Sequence, residues 1–293
     1  MKKYHWIILV LVLSGCSPIS SVVTPSITST PFLPPTATST PIWTANPISI
    51  VSPTKTPYLP ISTPLAKESS EITLELLQTN NGCDLPCWWG INPNQTNWSN
   101  ASEFLKPFST IYERQPPSDW FVYDVRSPIS TEVSELGIVE VVFAARDGIV
   151  REIEANGFNE YSYSPSSILM KYGIPSQVLI SSYSSDYGLP PNQVPLSIDL
   201  YYPQKGINVL YGTYATVKGE QITGCLKSPH LFLWSPSEHT RTINYILGWD
   251  SANTPYMSIE EATDLDIQDF YEKYSNPENS LCLQTPTNLW PSQ

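Results

Sequence analysis

Between Thr24 and Pro64 the dipeptide Thr-Pro occurs five times, at Thr24-Pro25, Thr30-Pro31, Thr40-Pro41, Thr56-Pro57 and Thr63-Pro64. Each proline removes a backbone donor and fixes φ, so neither helix nor sheet propagates through such a stretch. Residues 17–65 therefore read as a disordered linker, with no acidic residue and a single basic one, Lys55. Chains of this kind favour extended polyproline II at about 3.1 Å per residue, a reach on the order of 150 Å for roughly 48 residues. A stalk and a spacer of no required length both fit, and glycosylation of its Thr and Ser residues is left open. Folding is confined to the chain from Ala66 onward, where charged, aromatic and β-branched residues first occur together.

Ahead of the stalk, Lys2 and Lys3 precede an apolar run from Trp6 to Leu13. The run is too short to span a bilayer and has the charged and apolar regions of a secretory signal. It ends in Leu13-Ser14-Gly15-Cys16. This pattern resembles a bacterial lipobox, which implies cleavage before Cys16 and lipidation of its thiol and new N-terminus with diacylglyceryl and acyl (palmitate-type) chains. Two or more such chains anchor a protein stably, at roughly 0.8 kcal/mol per buried CH₂. The expectation is a lipoprotein held in the cell membrane or outer membrane by Cys16, its domain on the extracytoplasmic side.

The chain has 15 basic and 27 acidic residues; without Lys2, Lys3 and Lys55 the domain keeps 12 basic against all 27 acidic, a formal net of −15. Such a domain repels phosphate backbones, so nucleic acid is not an expected partner. With Cys16 lipidated, Cys83, Cys87, Cys225 and Cys282 remain. An even count in an oxidising compartment indicates two disulfides, with three connectivities. Cys83–Cys87 and Cys225–Cys282 are favoured, the first closing a small loop over Asp84-Leu85-Pro86 and the second stapling a C-terminal excursion. Cys-x₃-Cys with few histidines is a poor zinc pattern, and no cofactor is expected.

Three helices can be placed. Trp98, Ala101 and Leu105 share a face, with Asn100 and Glu103 as a cap-like pair and Pro107 as terminator. Ser164-Pro165 caps a helix carrying Ile168, Leu169 and Tyr172, ended by Gly173 and Pro175. Ser258 and Glu261 form a capping box for a helix running to Tyr274. Between the helices, Ile138–Ala144 and Ile149–Ala155 flank the turn Arg146-Asp147-Gly148, a hairpin signal. Leu196, Ile198, Leu200 and Tyr202 alternate with Ser197, Asp199 and Tyr201, a half-buried strand that turns at Pro203–Gly206 into Ile207–Tyr214. Trp120–Val125 and Gln177–Ser182 are further strands. A helix followed by three strands occurs twice, with a period near 67 residues.

The fold class expected is α+β: two tandem helix-plus-antiparallel-sheet units, 66–156 and 157–216, then a C-terminal extension with a helix, 217–293, all after the signal of residues 1–16 and the stalk of 17–65. This layout resembles the small lipoprotein domain of the β-barrel assembly machinery and the tandem units of β-lactamase inhibitory protein. The residues carrying the likeness are Trp89-Gly90-Ile91 with Thr96, and Leu169–Pro175; the first helix departs from it by ending at Pro107 without glycine. Cys83-Asp84-Leu85-Pro86-Cys87-Trp88-Trp89-Gly90-Ile91 also resembles a signature of bacterial lipoproteins with Thr/Pro-rich stalks, which implies a family but no activity.

Little in the chain suggests catalysis. His230 and His239 are the histidines left after signal cleavage, no G-x-S-x-G elbow accompanies them, and both read as loop residues. Glu152 and Glu154 read as the solvated face of a strand, although two acids about 5–10 Å apart in a cleft would suit glycoside hydrolysis. Asp264-x-Asp266 lacks the glycine of a calcium loop and falls inside the expected third helix. Aromatics are the remaining hint: Trp88 and Trp89 adjoin the disulfide loop, and an exposed ring there would serve a protein hot spot or stack on a sugar. Core filling is the competing reading, favoured for Trp89 and balanced for Trp88, because neighbours on an extended chain face opposite ways. The expected function is a membrane-tethered protein-interaction domain without catalysis, its partner an envelope protein; binding of carbohydrate or cell wall is the alternative, and a carboxylate hydrolase ranks third.

Overall fold

The computed structural model describes residues 66–114, 120–182, 190, 192–237 and 256–290. Cys16, the Thr-Pro stalk and His239 lie outside them. The described residues fall in one compact unit, and no helix among them is long and apolar enough to cross a membrane.

In chain order the elements are α1 (Ala66–Thr79), α2 (Trp98–Leu105), β1 (Thr110–Arg114), β2 (Trp120–Pro128), β3 (Ile138–Arg146), β4 (Ile149–Asn156), α3 (Pro165–Tyr172), β5 (Gln177–Ser182), β6 (Gln193–Tyr202), β7 (Ile207–Lys218), β8 (Gln221–Cys225), β9 (Ser228–Trp234), β10 (Tyr256–Ser258), α4 (Ile259–Ala262), α5 (Ile267–Tyr274) and β11 (Cys282–Pro286). The strands form a single antiparallel sheet in the order β1-β2-β3-β4-β9-β7-β6-β5-β10, with β8 on β7 and β11 on β8. The α+β class is as expected, as a large antiparallel sheet with a few helices.

Local chemistry sets the best-defined elements. Ser164 Oγ accepts from the Ser167 N–H, Pro165 opens α3, and Gly173 closes it at φ 79°. The β3–β4 hairpin turns through Asp147 and Gly148, both left-handed at φ 53° and 72°, as a two-residue type I′ turn requires. Ser258 and Glu261 make the reciprocal capping box of α4.

Three elements differ from expectation. The helix expected over 258–274 is two helices. Thr263 is fully extended (φ −143°, ψ 178°), and Asp266 restarts the helix by accepting from the Asp269 N–H. Asp264 and Asp266 thus lie in a connection rather than in a helix. Helix α2 is capped by Asn97, whose Oδ1 accepts from the Ser99 N–H, one turn before the expected Asn100. Helix α1 has no counterpart in the expectation, because its buried stripe starts with Ser69 and Thr73 before reaching Leu76 and Leu77. Two polar residues on the inner face hide the apolar period that would reveal it.

Strand β9 decides the architecture. It pairs with β4 through Leu231–Trp234 and with β7 through Ser228–Leu233. A segment from the C-terminal extension therefore joins the two strand groups into one sheet. The boundaries at 156/157 and 216/217 separate stretches of sequence, not separate cores, and β7 itself runs on to Lys218.

One register row shows where the core lies. Val125, Val141, Ala155, Leu231, Val209, Leu200 and Val178 are successive partners across seven strands, and all are buried. The same core receives Leu77 from α1, Leu105 from α2, Leu169 from α3, Ile259 from α4 and Phe270 from α5, so all five described helices cover this face. The neighbouring row, on the opposite face, reads Tyr112, Asp124, Val142, Glu154, Phe232, Asn208, Tyr201, Gln177. No described helix lies there.

Candidate functional site

Cys83–Cys87 and Cys225–Cys282 are bonded, with Cα separations of 5.9 and 3.9 Å. The second pair sits directly opposed in the β8–β11 ladder. The first closes a loop organised by Asn80, a buried residue that sequence reasoning passed over. Asn80 Nδ2 donates to the carbonyls of Cys83 and Cys87, each at 2.8 Å, and its Oδ1 accepts from the Trp89 N–H at 2.7 Å.

Trp88 and Trp89, the two candidate contact residues, are core residues, 0% and 1% exposed. The expectation that neighbours on an extended chain point opposite ways fails because the chain is not extended there. Trp89 (φ 55°) and Gly90 (φ 86°) are both left-handed, and Trp88 and Ile91 exchange both backbone bonds, at 3.0 and 2.8 Å. This tight turn stacks the two indoles on each other with centroids 5.2 Å apart. Trp88 then packs on Phe158 and Tyr163, and Trp89 on Phe108. A side chain at Gly90 would be strained by its φ of 86°, and its Cβ, 2.8 Å from Asn81 Nδ2, would displace that carboxamide.

Accessible chemistry is found instead on the sheet face opposite the described helices, over β1–β4 and β9. Tyr112 is half exposed at 51%, and Val142, Ala144, Glu152, Glu154, His230 and Phe232 are each partly exposed. Charges here are neutralised in pairs across strands. Arg114 meets Asp124 at 2.5 Å, Arg126 meets Glu140 at 3.1 Å, and His230 Nε2 hydrogen-bonds Glu154 Oε1 at 2.7 Å. The Arg126 guanidinium also lies over the Tyr112 ring. His230 is thus a strand residue rather than a loop one. A small second apolar cluster, Tyr201 and Trp234 with Phe232, sits on the same face.

Glu152 and Glu154 share this face and line a shallow depression of about 120 Å³ with Val142, Ala144, Phe232 and Trp234. That is below the roughly 300–1,000 Å³ of ligand pockets, and Glu154 is engaged by His230. A larger concavity, about 450 Å³, lies on the helix side beside the disulfide loop, lined by Asp84, Leu85, Tyr161, Ser167, Lys171 and Tyr172 among others. In it Lys171 Nζ meets Asp84 Oδ1 at 2.5 Å, and the Tyr172 hydroxyl accepts from the Leu85 N–H at 3.1 Å. Among the described residues no group of three or more His, Cys, Asp or Glu is placed to hold a metal.

No protein-family model, curated protein or solved structure matches the chain.

Proposed function

We propose that this is a lipid-anchored extracytoplasmic protein, tethered at Cys16, that binds another envelope protein through the β1–β4–β9 face of its sheet. The observation carrying this reading is the segregation of all described helices to one face, with partly exposed apolar residues between paired charges on the other. Apolar patches rimmed by satisfied polar groups are the anatomy of protein interfaces, and Tyr and Arg, here Tyr112 with Arg126, are favoured hot-spot residues. The reading takes α2–β4 and α3–β7 as two related helix-plus-sheet units joined by β9, each like the small lipoprotein domain of the β-barrel assembly machinery and the pair like the tandem units of β-lactamase inhibitory protein, which the layout resembles. It also takes the chain into the family of stalked lipoproteins that share its disulfide-loop signature.

The test places a photo-crosslinking residue at Tyr112, Val142 or, on the helix side, Tyr161, in the lipidated protein within its native membranes, with Cys16→Ala as control. One stoichiometric protein adduct from Tyr112 and Val142, absent from Tyr161 and lost in the control, is the expected result. Adducts from Tyr161 alone, or none, overturn it.

A second reading rests on the 450 Å³ concavity, whose exposed Tyr161 ring and Lys171–Asp84 pair suit a glycan of the cell wall. Binding of soluble wall fragments that Tyr161→Ala abolishes would favour it over the sheet face.

A further inference from the structure

The β6–β7 part of the face opposite the described helices contains a polar pair, one member of which strand alternation puts on the solvated side. Asp199 and Asn208 are both 0% exposed. Asn208 Nδ2 donates to Asp199 Oδ1 at 3.0 Å. The other oxygen of each group, Asp199 Oδ2 and Asn208 Oδ1, is also buried and has no hydrogen-bond partner among the described residues. Two orphaned acceptors on side chains already joined along one edge leave the pair one hydrogen short. A buried acceptor without a donor is costly, and a buried unpaired carboxylate more so.

We infer that Asp199 is held as a neutral carboxylic acid that donates from Oδ2 to Asn208 Oδ1, making a cyclic acid–amide couple that binds one proton. That hydrogen satisfies both orphaned oxygens at once and removes the charge from the sheet interior. Burial pushes the Asp199 carboxyl up to about 7, against the smaller opposing effect of the Asn208 hydrogen bond. Its neighbours among the described residues offer no neutralising cation. Leu210 on β7 and Leu179 on β5 are the cross-strand partners of Asp199, and Ser197 and Tyr201 flank it on its own strand. The tyrosine is the one titratable group among these, and burial keeps its hydroxyl protonated well beyond neutrality. His230 stands two strands away as the partner of Leu210, and it is committed to Glu154.

The couple makes folding sensitive to pH in a definite direction. The unfolded chain loses the Asp199 proton near 3.8 and the folded chain near 7. Between these values the folded state holds one more proton, so stability falls as pH rises, by up to about tenfold in the folding constant per pH unit. The loss is complete above the folded-state value. An extracytoplasmic domain so built is strengthened by acidification of its surroundings. This holds whether or not the sheet face binds a protein.

The test is Asp199→Asn, which supplies permanently the donor that the neutral acid is inferred to supply. Urea unfolding of wild type and D199N is measured at pH 5 and pH 8. The expected result is an advantage of D199N over wild type in the folding constant that grows from pH 5 to pH 8 by roughly a hundredfold, and by at least tenfold. A carboxyl ¹³C resonance of Asp199 that remains in its protonated position at pH 5.5 gives the same answer without mutation. A difference between the two proteins that is the same at both pH values, or an ionised resonance at pH 5.5, overturns the assignment.

Discussion

Asn80 Oδ1 accepts the backbone N–H of Trp89 at 2.7 Å while its Nδ2 donates to the carbonyls on both sides of the Cys83–Cys87 loop. One buried carboxamide therefore fixes the loop ends and the turn that puts two indoles into the core. Asn80→Ala leaves a buried N–H and two carbonyls without their partner, at roughly 1–3 kcal/mol for each group that water does not reach. The expected loss is about 3 kcal/mol in chemical denaturation. Asn80→Asp keeps the acceptor but loses both donors, so it should rescue little at pH 7. A loss under about 1 kcal/mol for Asn80→Ala would show that the loop is held by its disulfide alone.

The two disulfides differ in what they constrain. Cys225–Cys282 closes a separation of 57 residues and Cys83–Cys87 one of 4. Loop-entropy arguments give about 4 kcal/mol for the long loop and about 2 kcal/mol for the short one. Replacing each pair by alanine and comparing urea midpoints should therefore show the larger loss for Cys225 and Cys282. Equal losses would mean that β8–β11 pairing persists in the unfolded chain.

Alkaline pH should weaken the fold through its buried tyrosines. Burial raises the hydroxyls of Tyr163, Tyr202 and Tyr211 above their ordinary value of 10.0. The unfolded chain then loses these protons first, so this contribution is fully present below about pH 10 and is lost as pH rises beyond it. Three protons correspond to a slope of up to about 4 kcal/mol per pH unit. Tyr211 also donates to the Tyr163 carbonyl at 2.9 Å. Tyr211→Phe should cost about 1 kcal/mol at pH 8 and reduce the alkaline slope by one proton, read from unfolding curves between pH 9 and 11.

The proposed interface makes a prediction that separates binding from folding. Tyr112→Ser lies on edge strand β1, where the side chain is half exposed. It should change stability by less than about 0.5 kcal/mol and reduce partner capture at least tenfold. Trp89→Ala should do the reverse to stability, costing about 3–5 kcal/mol as a core truncation. If Tyr112→Ser leaves capture unchanged, β1 is outside the contact surface.

The elements legible in the chain are those whose information is local. Ser164, Pro165 and Gly173 cap α3, Asp147 and Gly148 turn the β3–β4 hairpin, and the Ser258–Glu261 box starts α4. Each depends on residues within a few positions of one another, so residue type and spacing suffice. The break at Thr263 could be sought in its sequence signal, Asp266 with Asp269 as a second helix start. Helix α1 carries no such signal, because Ser69 and Thr73 occupy its inner face.

The candidate site is legible only in part. The sequence places an aromatic pair beside a disulfide loop, but left-handed Trp89 and Gly90 turn both rings inward. His230 and Glu154 are 76 residues apart and meet because β9 enters beside β4. Alternation alone puts Asp199 on a solvated face, whereas in the folded chain it is buried beside Asn208.

By itself, then, the sequence determined the class of secondary structure and the turns and caps that punctuate it, because periodicity and capping act over a few residues. The tertiary structure decided the joining of the strand groups by β9, the burial of Trp88 and Trp89, the His230–Glu154 contact and the buried Asp199–Asn208 couple. Those depend on cross-strand register between distant segments, where a residue's surroundings are set by partners that its own neighbourhood in the chain does not specify.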